Sequence, residues 1–211
     1  MARSESVPAA FTRYVERERR AQRFIPEAKP LMAGAVTSRL RVGSGDVSGL
    51  AVEAAKRAAG FFRPTRRTEV VWVDGESELA VALAGVRVET RDGALVVTLP
   101  VRCDQTGETE VHVTFAVGRP GQPAGLYAAT QRRPRGPAVV VDTWAEAIVA
   151  FAWQILLGLA TGLAGATGKD ARGNRLVPAE LEATRDGLTI VPMARHRFAG
   201  SPGLTGAVTQ R

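Results

Sequence analysis

Several residue types are scarce in this 211-residue chain, and each scarcity narrows what it encodes. A single cysteine, Cys103, excludes an internal disulfide framework. With only two histidines, His112 and His196, it also argues against a Cys/His zinc site. Lysine is reduced to Lys29, Lys56 and Lys169, so arginine supplies 25 of the 28 basic side chains. The first 30 residues hold no apolar run of seven or more and are interrupted by Arg13, Arg17, Arg19, Arg20 and Arg23. They do not read as a signal peptide, and the expected location is the cytoplasm, where a free thiol persists.

What is present reads as a globular chain: 45% apolar and 23% charged residues, proportions at odds with disorder. The net charge is +7. It is unevenly placed: residues 1–67 and 118–211 are basic, while 68–117 carry three arginines against nine acidic residues. The arginine bias, with abundant Ala, Gly, Val and Pro, resembles the coding habit of GC-rich bacterial genomes, so not every arginine is read as functional.

Periodicity gives the elements. Residues 9–24 read as a basic helix with a thin stripe of Phe11, Tyr14 and Val15. Residues 35–42 alternate as a strand, and 47–62 form an amphipathic helix. Strands follow at 70–73, 78–83, 86–91, 94–103 and 109–117. Asp92-Gly93 marks a tight hairpin turn, and alternation in 109–117 marks an antiparallel sheet with one wetter face. A Gly/Pro-rich loop spans 118–137, with short strands expected at 126–130 and 138–141. A long helix is expected over 144–166, with Thr143 and Glu146 at capping-box spacing. Strands at 180–184 and 188–193 flank Arg185-Asp186-Gly187. The segment 89–100 resembles 182–192; both run strand, Asp-Gly turn, strand. The fold class expected is α+β: a mainly antiparallel sheet packed on one long apolar helix and one amphipathic helix, with an N-terminal basic helix. The expected organisation is a basic arm at 1–34, a single domain at 35–198 and a tail at 199–211.

One segment stands out. Residues 147–167 carry no charge in 21 positions. Their mean hydropathy is roughly 1.8, enough in length and composition for a bilayer span. Gly158 and Gly162 form a G-x-x-x-G pair, a close-packing device of membrane helices. The same pattern suits a soluble core helix, because Ala150, Gln154, Gly158, Thr161 and Gly165 form a small, polar stripe beside the large apolar positions. The core-helix reading is preferred.

Chemistry-bearing groups are sparse. Gly43-Ser44-Gly45-Asp46-Val47-Ser48-Gly49 follows a strand and opens a helix, which invites a nucleotide-phosphate reading. The glycine spacing is one residue off the dinucleotide form, and Asp46 or Ser48 as a helix N-cap is the preferred reading. His112 lies between Glu110 and Thr114 on the wetter strand face and reads as structural. Basic runs at 17–23, 63–67, 132–135 and 195–197 suggest nucleic acid, without a recognition motif to support it. No cofactor or metal is expected.

The function expected is that of a non-enzymatic binding or assembly protein contacting a partner subunit, a membrane surface or a lipid-like ligand. The candidate contact surface joins the apolar helix to the arginine-rich ends: Phe11, Tyr14, Arg17, Arg20, Trp144, Trp153, Gln154, Gly158, Gly162, Arg132, Arg133 and Arg135. The alternatives are a nucleic-acid binder using the arginine runs and a nucleotide-binding enzyme around Gly43–Gly49.

Overall fold

A computed structural model describes residues 9–21, 25–26, 38–60, 68–125, 127–128 and 133–194. Three helices are described: α1 (Ala9–Arg20), α2 (Ser44–Ala58) and α3 (Ala138–Thr167). The strands are β1 (Ile25–Pro26), β2 (Ser38–Gly43), β3 (Glu69–Asp74), β4 (Ser77–Ala82), β5 (Arg87–Arg91), β6 (Ala94–Cys103), β7 (Gly107–Ala116), β8 (Tyr127–Ala128), β9 (Val177–Thr184) and β10 (Gly187–Met193). The fold is α+β, with two antiparallel sheets.

The smaller sheet has the order β1-β2-β10-β9, and the larger runs β3-β4-β6-β7-β8. On the edge of β6 away from β7, β4 and β5 follow one another, separated by a 3-10 turn at Leu83–Gly85. The β5–β6 and β9–β10 hairpins turn at Asp92-Gly93 and Asp186-Gly187, with positive φ at both glycines (71° and 153°). The two look-alike turns meet. The Gly93 amide donates to Ala183 O (3.0 Å), the Arg185 amide to Asp92 Oδ1 (3.3 Å), and the Thr90 hydroxyl to Arg185 O (3.5 Å).

The segment after β7 joins the sheets. Amides of Gly118 and Ala183 exchange bonds with Leu181 O and Gly118 O, and the Leu181 amide donates to Ala124 O. A Cβ on Gly118 would lie 2.3 Å from Ala124 N and 2.5 Å from Leu181 O, so only glycine allows this approach.

Both sheets turn an apolar face to α2 and α3, and a single core results. From α3 it takes Ile148, Phe151, Ile155, Leu156, Leu159 and Leu163, all buried. Each contributes about 1.5–3 kcal/mol before entropy is subtracted. Ala150, Gln154 and Thr161 lie on the exposed side, as the small, polar stripe predicts. α3 is long and apolar enough to cross a membrane, with a mean hydropathy of 1.9 over its best 18 residues, and it is also packed as a core helix is.

Its two glycines are used inside the molecule. Gly162 receives the Phe11 ring of α1, which stands 2.8 Å from where a Cβ would be. Gly158 faces Ala54 of α2, 3.7 Å from a Cβ position. Helix α1 is thus part of the core rather than a separate arm, with Phe11, Tyr14 and Val15 buried. The expected tail at 199–211 lies outside the described residues.

Two local expectations are corrected. Residues 138–141 are the first turn of α3, not a strand. The β-branched run Val139–Val141 favours a strand locally, but amides of Val140 and Val141 bond Pro137 O (3.1 and 3.0 Å), and both valines are buried. Thr143 is therefore inside the helix, donating to Val139 O (3.2 Å), and does not cap it.

Candidate functional site

A groove of about 1140 Å³ lies on the sheet face opposite the helices' core contacts. It exists because β5, β6 and β7 pair in register. Arg87 sits across from Thr98 and Thr98 across from His112, so Arg87, Glu89 and Arg91 share a face with Val96, Thr98, His112 and Thr114. The other face carries Val88, Leu95, Val97, Val113 and Phe115 into the core. Ser44, Gly45 and Ser48 of α2 form one wall, and Arg135 and Arg185 reach the groove from distant parts of the chain.

The floor is rigidly held. Thr98 Oγ1 and His112 Nδ1 are 3.0 Å apart, leaving Nε2 as the ring's second polar atom. The backbones of His112 and Arg135 exchange two hydrogen bonds (2.8 and 2.9 Å), so the chain entering α3 closes the edge of β7 at this point. Ser48 Oγ donates to Val88 O (3.0 Å) and accepts from the Val88 amide (3.2 Å), fixing α2 against β5.

Four arginines line the groove against Glu89 and Asp92. Arg91 makes a two-point pair with Glu89 (3.1 and 2.9 Å), and this hydrogen bonding is the main cause holding the Glu89 carboxyl below its ordinary range. Arg87 pairs with Glu110 (2.6 Å) and Arg185 with Asp92 (3.5 Å). These pairs are exposed, and exposed pairs are weak enough to exchange for a bound anion. The Arg135 guanidinium has no acidic partner among the described residues.

The Gly43–Gly49 segment is at this groove, in a form that differs from expectation. β2 passes directly into α2 with Gly43 as N-cap, and no side chain caps the helix. Neither Asp46 nor Ser48 is the cap: Asp46 pairs with Arg17 (3.0 Å), and Ser48 is held by Val88. The Ser44 amide donates to Asp186 O (3.0 Å). Both neighbours of β2 are antiparallel, unlike the parallel sheet on which dinucleotide sites are built.

The candidate contact residues divide. Phe11, Tyr14, Trp144 and Gly162 are buried, so their contacts belong to the fold and not to an outer surface. Trp144 meets Trp72, and Trp153 is half-buried over Phe115. Gly158 is half-buried against α2, and Gln154 is exposed. Arg17 lies over the Tyr14 ring (4.8 Å) and pairs with Asp46; Arg20 is exposed. Arg133 pairs with Asp142 of α3, and Arg135 lines the groove. Arg132 lies outside the described residues, as do the basic runs at 63–67 and 195–197.

Sequence reasoning did not bring out Thr98, Arg87, Arg91 or Arg185 as groove residues. The alternation in β5 and the pairing implied by the Asp92-Gly93 turn were the available signal for Arg87, Arg91 and Thr98. Elsewhere, Cys103 is half-buried with its Sγ 3.1 Å from Thr106 Oγ1. Burial raises its pKa, hydrogen bonds from Thr106 and Gln105 outweigh that effect, and the net shift is downward. Among the described residues, no group of three His, Cys, Asp or Glu side chains is placed to hold a metal. No protein-family model matches the chain, and neither does any curated protein or any solved structure.

Proposed function

We propose that this is a non-enzymatic binding protein, and that its groove over β5–β7 receives an anionic group, a phosphate or carboxylate carried by a larger ligand. The observation that carries this reading is the arginine lining, with Arg135 free of acidic partners among the described residues. Most of the large apolar side chains of α3 face the core, so the polar groove, rather than the helix, is the better candidate for contact. Thr98 and His112 supply hydrogen-bonding groups on the floor, and the uncapped start of α2 adds a favourable field for negative charge.

Thermal unfolding with inorganic phosphate, pyrophosphate and a nucleoside triphosphate tests the reading. At a hundred times the dissociation constant, a ligand stabilises the native state by about 2.7 kcal/mol, a readily measured rise in Tm. The rise is expected to saturate, to shrink with added salt and to be lost in Arg135→Glu. No rise with any of the three, or an equal rise in the variant, rejects the groove as the site.

Membrane association is a second reading, supported by the length and hydropathy of α3. It requires α3 to leave the core. Carbonate extraction of cell membranes tests it: retention in the pellet supports insertion, and full release removes it.

A further inference from the structure

One row of side chains crosses the groove floor. Arg87 stands opposite Thr98, Thr98 opposite His112, and His112 opposite Arg135. At the usual spacing between strands the row is about 14 Å long. Its ends are guanidinium groups, and its centre is a hydroxyl beside an imidazole. Arg87 reaches Glu110 on β7, two strands away (2.6 Å), so its side chain lies across β6 and over this centre. Arg135 lines the groove from the other end.

We propose that this row is the subsite for a terminal phosphate monoester, and that His112 takes up a proton as the phosphate binds. The inference rests on the groove being the anion site, and it names which anion the groove takes. Donors come from three sides: Arg87, Arg135 and the floor between them. Three sides suit the three free oxygens of a monoester, whereas a carboxylate or a diester has two. The floor supplies the link to protons. Thr98 Oγ1 and His112 Nδ1 share one hydrogen across 3.0 Å. With a neutral ring, in either tautomer, the pair has one further hydrogen to donate to a ligand. With a protonated ring it has two, the Thr98 hydroxyl and Nε2–H, and a positive charge as well. Glu89 and Glu110, on the same sheet face, favour the charged ring, and Arg87 and Arg135 oppose it. Arg91, Asp92 and Arg185 stand farther along, towards the Asp92-Gly93 turn, and the part of α2 that lines the groove carries no charge. A bound dianion tips this balance towards the imidazolium.

Proton NMR of the full chain tests the subsite, with sulfate as a tetrahedral dianion whose charge is constant over the range in which histidine titrates. The chain has two histidines, and His112→Gln identifies the ring signal of His112; should that variant fail to fold, His196→Gln identifies it by elimination. Sulfate is expected to move the His112 signal saturably and to raise its titration midpoint by about 0.7 pH unit. By reciprocity, sulfate is expected to bind about fivefold more tightly at low pH than at high pH, and His112→Gln to remove that dependence. Methyl phosphate at neutral pH is expected to bind at least about fivefold more tightly than dimethyl phosphate or acetate at equal ionic strength. Equal binding of these three, or sulfate binding that ignores pH or leaves the His112 signal in place, overturns the subsite. The wider reading of the groove survives that result if pyrophosphate still raises Tm and Arg135→Glu abolishes the rise.

Discussion

Gly158 and Gly162 look equivalent in sequence and are opposite in the structure. A Cβ at 162 meets the Phe11 ring at 2.8 Å, and an aromatic ring in a packed core has little room to move. Gly162→Ala is therefore expected to destabilise the fold by about 1–3 kcal/mol. A Cβ at 158 meets Ala54 at an ordinary contact distance of 3.7 Å, and alanine is the better helix former. Gly158→Ala is expected to stabilise by up to about 1 kcal/mol. Urea unfolding of the two variants checks both signs; a loss in both would mean that 158 is packed as tightly as 162. Tyr14 gives a second residue-scale test. Its hydroxyl donates to Arg41 O (3.2 Å), and burial, then the charges of Glu18 and Asp46, push its pKa up to about 12. Between pH 10 and 12 the unfolded chain ionises this phenol and the folded chain does not. Stability is expected to fall across that window by about 2–3 kcal/mol and then level off. Tyr14→Phe is expected to be less stable at pH 8, by about 1 kcal/mol, and to lose this contribution to the alkaline slope. Unfolding midpoints at pH 8 and 11 for both proteins decide it.

At the scale of elements, β6 is the strand most legible in the sequence. Its start follows from the Asp92-Gly93 turn, and its observed range of Ala94–Cys103 is the range expected. Alternation in β7 likewise assigns Val111, Val113 and Phe115 to the core and His112 and Thr114 to the other face. The start of α3 was not legible, because three consecutive valines favour a strand until the burial of Val140 and Val141 decides otherwise. The groove was legible only in pieces. The Gly43–Gly49 segment and His112 each draw attention alone, yet nothing local says that Arg135 pairs beside His112 or that Arg185 reaches Asp92. Those contacts are made by the fold, and chain spacing does not encode them. The joint between α2 and β5 can be tested. Ser48→Ala leaves the Val88 amide and carbonyl without their side-chain partner and is expected to cost about 1–3 kcal/mol. Hydrogen exchange at the Val88 amide should quicken well beyond the change seen at Val97, which pairs within the sheet.

At the scale of the molecule, the two sheets act as one because Gly118 lets the backbones touch. Gly118→Ala would place a methyl group inside the contact distance of Ala124 N and Leu181 O. It is expected to cost about 3 kcal/mol or more, since backbone on both sides must separate. Amide exchange at Gly93, Leu181 and Ala183 reports whether the loss is centred on that junction. The charge map also reads differently in three dimensions. Part of the basic ends is answered internally, by Arg17 on Asp46, Arg39 on Glu182 (3.7 Å) and Arg19 on the last carbonyl of α3. The count of 28 basic side chains thus overstates the positive groups open to a ligand. The small sheet carries a further consequence, one of timing. β2 pairs with β10 from Leu40 with Ile190 to Gly43 with Gly187, so its central partner is made roughly 150 residues after it. At roughly 5–20 residues per second, a ribosome takes about 7–30 s to supply that partner. Throughout that interval β2 has a vacant edge, and the nascent chain depends on whatever shields it, such as a chaperone or a provisional strand, until the C-terminal hairpin emerges.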